Sequence, residues 1–232
     1  MAERLPSVLV AGGTGALGVA VLAELLESGY PVTATWVVPK ERERVEGDFP
    51  DNDLLTLVEA DVMDERAVVD AVEGVDGLGA IVNLVGGFSA PGKVHESSVD
   101  DFESMLRLNL RPAFLLARAG MPRLIAAGGG SFVCVSARPA LRPFPGAAGY
   151  ATAKAGVLAF IQALDSEYRA DGVRCNAILP SVIDTLANRA GQPDADHSKW
   201  VPPQQIAKVI RFLVSDDSLP TSGAAVPVYG RA

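Results

Sequence analysis

Short apolar runs rich in β-branched residues alternate along the chain with longer stretches in which apolar positions recur every three or four residues. The short runs predict strands over 8–12, 32–37, 54–59, 80–85, 131–136, 173–179 and 225–228. The longer stretches predict helices over 16–28, 65–72, 99–126, 150–169 and 203–214, with a weak helical piece after Lys40. A short run with no polar face fits a strand covered on both sides. Strands alternating with helices build right-handed βαβ units. The expected fold is α/β: one doubly wound parallel sheet of about seven strands with helices on both faces. No linker or internal repeat divides residues 1–232, so a single domain is expected. Two long loops, 86–98 and 181–200, follow predicted strand ends. Ligands of open α/β sheets sit beyond those ends, where long loops bind or cover them.

Composition narrows the picture. The chain is 49% hydrophobic and 21% charged, which suits a globular core and not a disordered segment. No apolar run approaches the roughly 18–20 residues that span a bilayer. The start, MAERLPSVLVAGG, passes from a charged head into a strand and a glycine loop with no cleavage site, so no signal peptide is read and a cytoplasmic location is expected. A net charge of −8 argues against a nucleic-acid partner, since phosphate binding needs a basic face. Cys134 and Cys175 fall in predicted strands and read as buried core thiols; no cluster suggests a metal.

VLVAGGTGALG runs from the first strand into the first helix. Gly13, Gly15 and Gly18 fit G-x-G-x-x-G, and Gly12, Gly15 and Gly18 fit G-x-x-G-x-x-G. Such a loop, here Gly12, Thr14, Gly15, Ala16, Leu17 and Gly18, lets backbone approach a pyrophosphate held at a helix N-terminus. A Rossmann-type dinucleotide site follows. NAD readers place an acid at the end of the second strand to hold the ribose 2′-OH. Thr35 and Trp36 stand there instead, and Lys40, Arg42 and Arg44 follow. These cations either bind a 2′-phosphate, which favours NADP(H) over NAD(H), or form a solvated charged turn.

Tyr150 and Lys154, four residues apart, share one face at the start of a helix. A neighbouring ammonium is expected to lower the phenol's pKa, so that Tyr150 exchanges a proton nearer neutral pH. That suits carbonyl reduction, with hydride arriving at carbon while the phenol protonates oxygen.

With these motifs the sequence resembles the short-chain dehydrogenase/reductases over nearly its whole length. EADVMD carries Asp61 and Val62, matching the pair that holds adenine. IVNLVGG resembles the family's N-N-A-G, with Asn83 kept and Leu84 for the second Asn; Val85 and Gly86 follow at the cofactor. Asn109 in RLNLRPAF matches the Asn that anchors a proton-relay water. NAILPSVIDT resembles N-x-x-x-P-G-x-x-x-T, keeping Pro180 and Thr185 with Ser181 for Gly; Ile183 and Thr185 are the implied nicotinamide contacts. Lys154 is implied to hold the nicotinamide ribose as well.

Two positions depart from the pattern. Ala16 replaces a loop glycine, offset by Gly15. The family's catalytic serine lies thirteen residues before the tyrosine, and that residue is Ala137. Ser136 is adjacent and is carried as a candidate, although neighbouring strand side chains point to opposite faces. Dihydropteridine reductases, an atypical branch, also carry alanine there. GGTGALG, VGGFSAPG and IDTLANRAGQPDADHSKWVPP are similar to their segments, while Trp36 and Asn109 are not. Phe88 and Trp200, on the two long loops, either wall a flat substrate or anchor the loops; His95 and His197 read as surface residues, and Arg138 and Arg142 as solvated charges. The expected protein is an NAD(P)H-dependent oxidoreductase acting on a carbonyl or quinonoid small molecule. Wide apolar faces on its long helices, by the same resemblance, imply a homodimer or homotetramer. The rivals are a non-catalytic dinucleotide-binding regulator, motivated by Ala137, and a family member acting on acyl thioesters or sugars.

Overall fold

The computed structural model describes residues 5–231. The charged head, on which the reading of the N-terminus partly rests, lies outside the described residues. Seven strands form one parallel sheet: β1 (Ser7–Ala11), β2 (Val32–Trp36), β3 (Leu55–Glu59), β4 (Leu78–Asn83), β5 (Gly130–Val135), β6 (Val173–Pro180) and β7 (Ala225–Val228). Their order is β3-β2-β1-β4-β5-β6-β7, and every neighbouring pair is parallel. All carboxyl ends therefore share one edge, and the order reverses between β1 and β4.

Among the described residues, eight α-helices connect the strands: α1 (Ala16–Glu27), α2 (Pro39–Asp48), α3 (Glu65–Glu73), α4 (Val99–Asn109), α5 (Arg111–Ala126), α6 (Ala148–Tyr168), α7 (Leu186–Gly191) and α8 (Pro203–Val214). On one face Leu22 and Leu25 of α1, Val45 of α2 and Ile206 and Ile210 of α8 pack on Val8, Val10, Val82, Val133 and Ile178. On the other face α3, α5 and α6 pack Val68, Leu116, Leu124 and Ile161 on Leu9, Ile81, Phe132 and Leu179. Successive strand residues feed opposite cores, which is why the strands read as unbroken apolar runs. Cys134 and Cys175 are buried free thiols, and burial pushes both up to about 12.

Three elements differ from the sequence expectation. The single helix over 99–126 is broken at Leu110, because Pro112 has no N–H to donate and its ring crowds the preceding turn. The weak piece after Lys40 is a full helix, α2, with Pro39 in its first turn. The loop over 181–200 contains α7, with Thr185 as its cap: the Asn188 amide donates to Thr185 Oγ1 at 3.2 Å. Strand and helix ends move by one or two residues elsewhere; β4 is displaced toward the N-terminus and stops at Asn83, leaving Val85 and Gly86 in the loop. Among the described residues, no helix is long and apolar enough to cross a membrane.

Candidate active site

The turn between β1 and α1 is built so that backbone, not side chain, faces outward. Gly12 has φ +76°, a conformation that glycine adopts without strain, and its amide donates to Thr35 Oγ1 at 3.0 Å. A Cβ on Gly18 would lie 2.2 Å from the Gly13 carbonyl oxygen, so α1 packs directly on the loop. Gly15 caps α1 and brings no side chain to its first amides. Helix amides left open in this way, with the dipole behind them, suit an anionic group, and the loop fits a pyrophosphate.

The α2 helix reaches back over this loop. Thr14 donates its hydroxyl to Glu41 Oε2 at 3.2 Å, and Arg44 donates to the Thr14 carbonyl at 2.5 Å. Arg44 is thus part of the loop's scaffold. Arg42 lies over the Trp36 ring, 5.2 Å from its centroid, and pairs with Glu46 at 2.7 Å. Asp61 is exposed and accepts the Met63 amide at 2.9 Å, while Val62 is buried. Asn83 accepts the Val85 amide at 3.1 Å, and a Cβ on Gly12 would meet Val85 Cγ2 at 2.9 Å. The glycine loop and the end of β4 are therefore in contact.

Tyr150 lies in the first turn of α6 and Lys154 one turn on. Lys154 is 5% exposed; its Nζ donates to the Val135 carbonyl at 3.0 Å and sits 5.9 Å from the Tyr150 ring centroid. Asn109 closes α4 and grips the loop after β4: Gly87 N–H donates to Oδ1 at 3.1 Å, and Nδ2 donates to the Gly87 carbonyl at 3.1 Å. A Cβ on Gly86 would lie 2.6 Å from Asn109 Oδ1 and 2.9 Å from Lys154 Nζ. The missing side chain at Gly86 is what lets these two groups converge.

The electrostatics differ from what spacing alone predicts. Burial pushes the Tyr150 phenol up to about 12 and pulls Lys154 down to about 8. The ammonium is itself desolvated and aimed at the Val135 carbonyl, so it does not lower the phenol's pKa here. Tyr150 is held as a neutral phenol, the form that can give a proton.

Ser136 does not replace the missing serine. It is 1% exposed, and its hydroxyl donates to the Lys154 carbonyl at 2.8 Å. That hydroxyl braces α6 and is not offered to a substrate, which corrects the catalytic reading of Ser136. Ala137, next to it, presents a methyl group. Pro180 ends β6, Ile183 bridges to Val201, and Thr185 caps α7. These three lie on the same sheet edge as the glycine loop, and their contacts shape the loop over 181–200. Trp200 is buried beside His197, ring centroids 4.3 Å apart, and so anchors that loop instead of walling a site. His95 is exposed beside Glu96, and Arg138 covers the Tyr229 ring. Phe88 does reach Tyr150, edge-on at 5.1 Å, and brings with it Phe144, which the sequence did not single out. A cavity of about 760 Å³ opens at the opposite, amino edge between Ser7, Gly79, Gly130 and Arg174, and none of the expected site residues lines it.

Fold and site together define an oxidoreductase scaffold of Rossmann type. The family model for short chain dehydrogenases matches residues 6–196, and the chain belongs to that family. A relative, 2-(R)-hydroxypropyl-CoM dehydrogenase of Xanthobacter autotrophicus, is 29% identical over 240 residues, covering 96% of each chain. A short-chain type dehydrogenase/reductase from Mycobacterium ulcerans has the same fold, with TM-score 0.92 at 22% identity over 100% of this chain and 90% of that one. ElxO, solved with NADP bound, superposes with TM-score 0.89 at 23% identity over 97% of each chain. The protein is an oxidoreductase, and membership supports binding of a nicotinamide dinucleotide. The non-catalytic rival is not favoured, since the relatives are named dehydrogenases and reductases.

Proposed function

We propose that this chain reduces a carbonyl or quinonoid C=N group of a small molecule with NAD(P)H, using Tyr150 as the proton donor. The observation that carries the reading is the convergence of Tyr150, Lys154 and the Asn109-held Gly86–Gly87 backbone at the carboxyl edge of the sheet. A bound reduced dinucleotide supplies the hydride. Tyr150 gives its proton to the substrate oxygen or nitrogen and regains one from solvent, so that carbonyl, NAD(P)H and a proton become alcohol and NAD(P)+. Lys154 would hold the nicotinamide ribose, its Nζ fixed at the mouth of the site by the Val135 carbonyl. Asn109 fixes the loop along which the proton relay runs. Gly12, Thr14, Gly15, Ala16, Leu17 and Gly18 would cradle the pyrophosphate, Asp61 and Val62 would receive the adenine, and Asn83, Val85 and Gly86 would line the cofactor at the end of β4. Ile183 and Thr185 would contact the carboxamide from the second loop, with Pro180 at the strand end that leads into it.

NADP(H) is the favoured cofactor in this reading. Trp36 replaces the acid that would repel a 2′-phosphate, and Arg42 lies over its ring. Likeness to dihydropteridine reductases, supported by Ala137 and the D-T-x-x-N-R segment, makes a quinonoid dihydropterin a candidate substrate. Phe114 of α5, half exposed, and Phe160 of α6 pair at 6.2 Å on an outer face that supports a homodimer or homotetramer. We place the protein in the cytoplasm.

The test is NADH and NADPH oxidation with quinonoid dihydropterin, quinones, aldehydes, ketones, acyl thioesters and sugars, in wild type and Tyr150→Phe. Loss of the donor is expected to lower turnover about 10²–10⁴-fold with cofactor binding intact. Equal activity in the two proteins removes Tyr150 from the chemistry.

A further inference from the structure

Three aromatic rings gather at the mouth of the site. Phe88 stands edge-on to Tyr150, with ring planes at 86° and centroids 5.1 Å apart. Phe144, from the segment between β5 and α6, lies 6.2 Å from Phe88. The two phenylalanines are 59% and 45% exposed. Single exposed apolar side chains are ordinary, but two exposed rings gathered on the proton donor form a patch, and such patches mark binding surfaces.

A second observation lies beside the same tyrosine. A cavity of about 210 Å³ is lined by Pro91, Val94, Phe102, Met105 and Tyr150, with Ser97, Ser98 and Asp101 as its polar side. Its rim runs through Ser89 and Gly146, next to Phe88 and two residues from Phe144. An apolar cavity of about 150 Å³ is enough to hold benzene.

We infer that Phe88, Phe144 and this cavity form a seat for a planar aromatic ring carried by the substrate. The enzyme then selects flat aromatic carbonyl compounds over saturated ones of the same size. A flat ring can stack on or meet the edge of Phe88 and Phe144 with centroids in the range that aromatic pairs prefer, whereas a puckered saturated ring gains only burial. This inference rests on the reading of Tyr150 as proton donor, and it names the substrate class that reading leaves open.

The test compares benzaldehyde with cyclohexanecarbaldehyde, matched in size but not in planarity. Turnover is measured with each reduced dinucleotide for wild type, Phe88→Leu, Phe144→Leu and the double variant. Calorimetric titration of benzyl alcohol and cyclohexylmethanol into the chain saturated with the reduced dinucleotide reads binding without turnover. Both side chains are exposed, and an unchanged melting temperature checks that the variants fold. Wild type is expected to prefer the aromatic aldehyde in kcat/KM, and the aromatic alcohol in Kd, by about tenfold, the worth of a good aromatic pair. In the double variant both ratios are expected to fall toward one. Aromatic and saturated ligands bound equally by wild type, or a preference kept by the double variant, overturns the seat while leaving the reductase reading in place. Selective aromatic binding with no turnover of either aldehyde supports the seat and counts against the reductase reading.

Discussion

The Ser136 hydroxyl donates to the backbone carbonyl of Lys154 at 2.8 Å, while Lys154 Nζ donates to the carbonyl of Val135 at 3.0 Å. The end of β5 and the first turns of α6 are thus stitched together in both directions. Ser136→Ala is expected to cost about 1 kcal/mol of stability, the net worth of one buried hydrogen bond. Its kcat/KM should stay within about threefold of wild type, because the hydroxyl meets no substrate. Urea denaturation and steady-state kinetics check both; a large loss of activity at unchanged stability would return Ser136 to the chemistry.

If Ala137 faces the reacting group, a developing oxyanion there has one donor fewer than a serine would give. Ala137→Ser is expected to raise turnover of plain ketones by about tenfold or more, since such a donor contributes a few kcal/mol to the transition state. Activated or quinonoid substrates should gain less. Parallel kcat/KM measurements on both classes decide the point, and equal gains would disconnect Ala137 from substrate choice.

Lys154 is held charged in a desolvated place, with its pKa pulled from 10.5 down to about 8. The unfolded chain therefore binds the lysine proton more tightly than the folded one between about pH 8 and 10.5. Below that window the folded state bears the full cost; through it, the contribution of this residue to stability rises with pH. Lys154→Met is expected to be more stable than wild type at pH 7 by on the order of 1 kcal/mol, and nearly inactive. The gap should narrow toward pH 10. Denaturant midpoints of both proteins across pH 7–10 check the sign.

Arg42 pairs with Glu46 and lies against Trp36. If it serves a 2′-phosphate, Arg42→Ala should raise KM for NADPH about tenfold and leave KM for NADH unchanged, as expected for losing one partly solvated charge-assisted hydrogen bond. An equal effect on both dinucleotides would make Arg42 a packing residue for Trp36.

The strand pattern was legible because parallel strands covered on both faces must be apolar throughout, and the glycine loop because only glycine tolerates the contacts at Gly12 and Gly18. The α2 helix was nearly invisible: PKERERVEGD buries only Val45, so it carries no periodic stripe. The break at Leu110 was masked by continuous apolar periodicity, although Pro112 was there to signal it. Strand alternation sets Ser136 and Ala137 apart, but what the Ser136 hydroxyl meets depends on a helix turn eighteen residues on. Phe144 carried no local mark, because its place beside Phe88 exists only after β5, α6 and the loop following β4 have met. The raised pKa of Tyr150 is invisible in the sequence for a related reason: spacing reveals a neighbouring charge but not how dry its surroundings are.

Asn109 holds both backbone groups of Gly87, and Phe88 is the next residue along. The grip fixes the backbone at Gly87, so Gly86 before it stays beside the ammonium while the segment 89–97 after it hangs from one anchored point. A single amide side chain thus separates the part of this loop that meets Lys154 from the part that meets the cavity beside Tyr150.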